Sequence, residues 1–165
     1  MGGDAADFIR SEYPTALRRA VLLVGDQRAA EALVQEAMVR LWAAWRRQPP
    51  DNPGAYLRTV TTNLAISGWR RRRLREVPFE MGPEPSVDDS AAELGEHDVV
   101  WRAVRALPPR QRAVIVLRYY EGLSEPEICA VLGMAPGTVR SQASKARDHL
   151  RSTLNNEEGA FDERR

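Results

Sequence analysis

Apolar residues recur every three or four positions along most of the chain, the spacing of amphipathic helices, and no stretch alternates as a strand does. The first predicted helix runs from about Asp4 to Val24, with Phe8, Leu17, Val21 and Val24 facing inward and Pro14 as a kink. Gly25 ends it. Asp26 then caps a second helix, DQRAAEALVQEAMVRLWAAWRR, with Leu33, Val34, Ala37, Met38, Leu41, Trp42 and Trp45 as its apolar stripe. Pro49 and Pro50 stop it. Asn52 and Pro53, a cap followed by a first-turn proline, open a third helix through Leu57, Val60 and Leu64 to Trp69, finishing in RRRRLR.

A second block of helical pattern begins near Asp98. Val100, Val104 and Leu107 mark a helix ended by Pro108 and Pro109, and another follows through Val114, Leu117 and Tyr120 to Gly122. In SEPEICAVLG, Ser124 and Glu127 have the spacing of a capping box, with Gly133 as the left-handed residue at the helix end. The turn MAPG leads into the last helix. With 100° per residue, Val139, Ala143, Ala146 and Leu150 fall on one narrow stripe of it. Ser141, Ser144, Lys145 and Asp148 fall opposite, flanked by Arg140, Arg147 and Arg151. A capped short helix, a turn with glycine and a second helix with a polar outer face make a helix-turn-helix, whose second helix enters the major groove. Thr138, Arg140, Ser141, Ser144 and Lys145 are the candidate base contacts, with Arg147 the candidate phosphate contact. Similar helix pairs also occur inside ordinary helical bundles.

Charge changes the picture. The net of +1 hides a pattern: residues 1–75 hold 13 Lys+Arg against 7 Asp+Glu, residues 76–98 hold none against 8, and residues 99–154 hold 9 against 4. Two basic blocks suited to a polyanion flank an acidic segment that would stay off it. The segment 76–98, with three prolines and two glycines, reads as a flexible acidic linker. The expectation is therefore an all-α chain of two small helical domains, 1–75 and 99–154, followed by a disordered tail, 155–165.

Catalytic and metal chemistry find little support. Cys129 is the sole cysteine, and His97 and His149 have no partner arrangement. Asp26, Glu31 and Glu36 are spread along a helix with no further ligand evident nearby. The expectation is no enzyme activity, no cofactor and no metal. The longest apolar run falls short of a membrane span and the N-terminus lacks a signal-peptide pattern, so a cytoplasmic protein without membrane contact is expected.

Two further surfaces remain open on the residues alone. The run Arg70–Arg73 either complements a helix dipole in solvent or extends a nucleic-acid face with Arg58, Thr62 and Asn63, where Trp69 either stacks on a base or packs inside. The polar face of the second helix, with Gln27, Glu31, Gln35, Glu36 and Arg40, is too acidic for DNA and suits either solvent or a protein partner.

Three segments, DQRAAEALVQEAMVRLW (26–42), AYLRTVTTNLAISGWRRR (55–72) and LPPRQRAVIVLRYYEGLSEPEICAVLGMAPGTVRSQASKAR (107–147), together resemble the extracytoplasmic-function class of bacterial RNA polymerase sigma factors, in that family's order. The resemblance implies that the first domain corresponds to sigma region 2 and the second to region 4. It implies that Glu31, Leu33, Gln35, Glu36, Met38 and Trp42 bind core RNA polymerase at the clamp helices of the β′ subunit. It implies that Arg58, Thr62, Asn63, Trp69 and Arg70 serve −10 recognition and melting, beside the loop 48–52. Thr138, Arg140, Ser141, Ser144, Lys145 and Arg147 would read the −35 element, the region 4 domain would meet the β flap, and the acidic linker would thread through the polymerase. An anti-sigma factor is the further partner implied. Ala32, Ser67 and Gly68 depart from the family pattern. The other function compatible with the residues is a helix-turn-helix regulator with an N-terminal sensing domain, which would bind a specific duplex without polymerase.

Overall fold

In a computed structural model of the chain, the backbone is described over residues 2–75 and 98–162 and side chains over 3–71 and 99–156. Every element among the described residues is helical, and the chain divides into two compact units, Met1–Ser86 and Val87–Arg165. The expected acidic linker, apart from Asp98, lies outside the described residues.

The first unit is a bundle of α1 (Gly2–Val24), α2 (Gln27–Arg47) and α3 (Pro53–Arg75), each packed on the other two. Its punctuation follows the local chemistry. Gly25 takes φ +77°, a left-handed conformation that glycine adopts without a Cβ penalty. Asp26 accepts the Ala29 N–H at 2.8 Å, and Asn52 accepts the Ala55 N–H at 3.0 Å, so α2 and α3 each start on a side-chain cap. The centre is made largely of small residues. Ala16, Ala20, Ala30 and Ala37 are buried with Val34, Leu41, Leu57 and Leu64, and alanines let helix backbones approach closely. The larger Phe8, Leu17, Val21 and Val24, expected to face inward, do so as a half-buried rim; Phe8 meets Trp45 at 5.7 Å between ring centroids.

The second unit contains α4 (Asp98–Ala106), α5 (Pro109–Ile115), a π-helical turn (Val116–Tyr120), α6 (Glu125–Leu132) and α7 (Pro136–Asp162). α7 packs on α4, α5 and α6. Arg112 Nη2 donates to the carbonyls of Arg105 at 2.7 Å and Leu107 at 3.0 Å, covering acceptors that the end of α4 leaves without helical partners. The α5 pattern, expected to run as one helix to Gly122, instead widens at Val116, where the Glu121 N–H reaches the Val116 carbonyl at 3.0 Å. Val114, Ile115, Val116 and Leu117 are consecutive and all buried. A run apolar on every side carries no periodicity, so nothing in it marks where the turn widens.

The capping box forms as spaced. Glu127 Oε2 accepts the Ser124 N–H at 2.7 Å, and Ser124 Oγ accepts the Glu127 N–H at 3.4 Å. Gly133 closes α6 at φ +62°. The core of Val114, Leu117, Leu123, Ile128, Val131, Val139 and Ala143 sits under this turn. One expectation is corrected here: α7 continues to Asp162, so most of the segment 155–165 is helical and not a disordered tail. No proline interrupts it after Pro136, and the polar composition that suggested disorder is equally that of a helix in solvent.

Candidate nucleic-acid interface

α7 is sorted by burial into two faces. Val139, Ala143 and Ala146 are fully buried and Leu150 is half-buried, whereas Thr138, Arg140, Ser141, Ser144, Lys145 and Arg147 are all exposed. Gln142 stands at the boundary, half-buried. Alanine at 143 and 146 lets the neighbouring helices close on α7, while hydroxyls and cations line its outer side. The start of the helix is fixed by Pro136 and by the Val139 N–H bonded to the Ala135 carbonyl at 3.1 Å. Arg140 Nη1 lies 3.4 Å from Glu125 Oε1 in the first turn of α6, joining the two helices across their turn.

α3 is sorted less kindly to the sequence reading. Asn63 and Arg70, seven residues apart and so on one line of the helix, are both exposed, with Ser67 between them. Arg58 and Trp69 are half-buried. Thr62 is fully buried, so it is withdrawn from the set of −10 contacts: its position turns it toward the interior with Leu64 and Ala65 rather than to a ligand. Its neighbour Thr61, also buried, donates to the Leu57 carbonyl at 2.7 Å, but the Thr62 hydroxyl has no hydrogen-bond partner. A buried hydroxyl without a partner costs free energy that valine, of similar shape, would not. Thr62→Val is therefore expected to stabilise the protein by about 1 kcal/mol and to leave promoter opening unchanged. Urea unfolding and transcription from a duplex promoter check it; loss of opening in a folded variant would restore Thr62 to the DNA face.

On α2 the structure redistributes the predicted protein-binding set. Gln35, Glu36 and Trp42 are exposed, with Glu36 Oε1 accepting from Arg40 Nη2 at 2.6 Å. Glu31 is half-buried and accepts from Gln27 at 3.0 Å. Met38 is only 7% exposed and belongs to the core, and Leu33 packs half-buried against it, so Met38 is withdrawn as a contact and Leu33 offers an edge at most. The residue missed was Val39, 67% exposed. It stands four positions from Gln35 and three from Glu36 and Trp42, on the side away from Val34, Ala37 and Leu41. A β-branched apolar residue out of phase with the core stripe was the signal available in the sequence.

The acids weighed as metal ligands have separate tasks: Asp26 caps α2, Glu31 bonds Gln27 and Glu36 pairs with Arg40. Among the described residues no three His, Cys, Asp or Glu side chains gather at one point.

Comparison with known proteins adds an independent line. The family model for Sigma-70 region 2 matches residues 8–75, and that for Sigma-70 region 4 matches residues 97–150. The chain is similar to the RNA polymerase sigma-E factor of Streptomyces avermitilis, 38% identical over 149 residues that span 90% of this chain and 83% of that protein. It is similar to the ECF RNA polymerase sigma factor SigL of Mycobacterium tuberculosis, 35% identical over 148 residues, 83% of this chain and 81% of that one. Among solved structures it resembles the sigma factor RpoE of Bartonella quintana in complex with the anti-sigma factor NepR, with a TM-score of 0.67, 25% identity, and coverage of 90% of this chain and 97% of that chain. It also resembles CnrH in complex with the cytosolic domain of CnrY, with a TM-score of 0.66, 26% identity, and coverage of 94% and 90%.

Proposed function

Because the chain belongs to the sigma-70 family, in its extracytoplasmic-function class of RNA polymerase sigma factors, we propose that it directs promoter-specific transcription initiation by dividing the work between its two units. The first unit, as sigma region 2, docks on the clamp helices of the β′ subunit through the exposed line of α2, Gln35, Glu36, Val39 and Trp42, with Glu31 at its edge. It presents Asn63 and Arg70, flanked by Arg58 and Trp69, to the −10 element. The second unit, as sigma region 4, contacts the β flap and reads the −35 element with Thr138, Arg140, Ser141, Ser144, Lys145 and Arg147.

One observation carries the reading: all six candidate −35 contacts are exposed on α7 while the small stripe behind them is buried. Such a helix is held rigidly by its own domain and offers only groups that bond phosphates and base edges. No covalent step is needed. Bases extruded from the duplex lose stacking worth a few kcal/mol each, and pockets on the first unit would offset that loss. Each unit alone binds weakly, and both held on one polymerase raise the effective concentration of the second contact.

The solved relatives in complex with anti-sigma factors support a similar inhibitory partner for this chain. Among the described residues no helix is long and apolar enough to cross a membrane. The protein is read as a non-enzymatic regulator that works in the cytoplasm, where its polymerase is.

Run-off transcription with purified core polymerase on a library of randomised promoters tests the proposal. Initiation from a defined subset of promoters is expected only when the protein is present. Changing Gln35 and Glu36 together to alanine is expected to weaken polymerase binding about tenfold, the equivalent of one lost polar contact. Tight binding to one duplex by the protein alone, with no effect on initiation, would leave an autonomous helix-turn-helix regulator instead.

A further inference from the structure

The ion pair between α6 and α7 is small as a stabilising element and well placed as a specificity device. Arg140 Nη1 and Glu125 Oε1 are 3.4 Å apart, with the arginine side chain 66% exposed and the glutamate 30% exposed. The carboxylate is the enclosed, anchored partner; the guanidinium is the one that reaches outward. The anchor is rigid for reasons printed in the adjacent residues. Glu125 opens α6 directly after Ser124, whose two-way bonding with Glu127 fixes the helix start, and Pro126 fixes the next φ.

From this arrangement we propose that Glu125 is a positioning residue for promoter recognition, aiming the Arg140 guanidinium at one base pair of the −35 element. The proposal rests on the reading of α7 as the −35 helix. A guanidinium has five N–H donors in a planar fork. With Nη1 held by Glu125, the rest of the fork is left to bond a guanine edge through O6 and N7, and it is held in one orientation when DNA arrives. The carboxylate also disfavours a phosphate at that point, because two anions in the same space repel. Arg140 is thereby steered away from the sequence-blind contact that an unrestrained arginine would make. An exposed ion pair contributes little to stability, so substituting Glu125 should alter which promoters are used more than whether the protein folds.

The test is selection from a promoter library randomised only in the −35 element, using the full chain with core polymerase. The variants are Glu125→Gln, Arg140→Ala and both together. Arg140→Ala is expected to flatten base preference at one position by about tenfold or more, the worth of one bidentate contact. Glu125→Gln is expected to flatten the same position by about threefold to fivefold, part of that worth, and the double variant to match Arg140→Ala alone. The proposal is overturned if Glu125→Gln leaves the profile unchanged, lowers use of every sequence equally, or multiplies with Arg140→Ala in the double variant. If Arg140→Ala itself shifts no base preference while the protein still directs initiation, the assignment of Arg140 as a reader fails, and the role of Glu125 fails with it. Loss of all promoter selectivity by the wild-type protein would instead strike at the sigma function itself, and the two failures are told apart by that control.

Discussion

Ala143→Leu is expected to disable promoter recognition without altering any group that could touch DNA. Ala143 is fully buried in the core with Val139, Ile128, Val114 and Leu117, on the stripe where α7 meets its neighbours. Three added carbons must displace those side chains or lift the helix, and overpacking of this kind costs about 1–3 kcal/mol. A unit of this size has little to spare. The melting midpoint of the second unit should fall by roughly 10 °C, and promoter-specific initiation should fall with it. Ser144→Ala, one residue away on the exposed face, should leave the melting curve in place and change only promoter preference. Circular dichroism melts and transcription on one selected promoter separate the two. A variant with leucine at 143 that melts and initiates normally would mean that the small stripe is not packed as described.

The second large effect is electrostatic. Lys145 and Arg147 are both exposed on the outer side of α7, and changing both to glutamate replaces two cations near the duplex with two anions. Initiation from −35-dependent promoters is expected to fall about 100-fold or more at moderate salt, and the slope of log affinity against log salt to flatten by about two, roughly one per lost phosphate contact. The loss should be nearly uniform across −35 sequences, because phosphates are the same in every one. That uniformity sets it apart from the change expected at Glu125, which is confined to one base position. Gel-shift titrations of the polymerase holoenzyme at several salt concentrations read both quantities. A sequence-dependent loss would place Lys145 on a base edge instead.

Both predictions turn on which side of a helix a residue faces, and the sequence was unequally informative about that. On α7 the outcome matches the pattern residue by residue, because a stripe of Val139, Ala143 and Ala146 leaves no choice of inner face. On α2 the stripe is broad. A wide apolar face does not say where the core stops and an exposed contact begins, so Met38 was placed on the surface and Val39 overlooked. On α3 the polar residues themselves misled. Thr62 has the chemistry of a base contact, but threonine is close to valine in shape, and only the packing of α1 and α2 against α3 settles that it is inside. The gathering of Glu125 and Arg140, fifteen residues apart in the chain, was likewise invisible until the turn between α6 and α7 set their distance.

The sequence by itself determined the elements of this protein that depend on neighbours within a turn or two. These include the caps at Asp26, Asn52 and Ser124, the left-handed glycines at 25 and 133, and the helix-turn-helix with its two-faced last helix. Caps and periodicity are local, and their free energies act within a few residues. The tertiary structure decided what no local rule contains. It chose which alanines lie at the helix crossings, widened the chain at Val116, buried one of two adjacent threonines without a bond, and brought a carboxylate to the base of a reading arginine. Those outcomes follow from the space left between packed helices, which depends on every side chain at the contact at once.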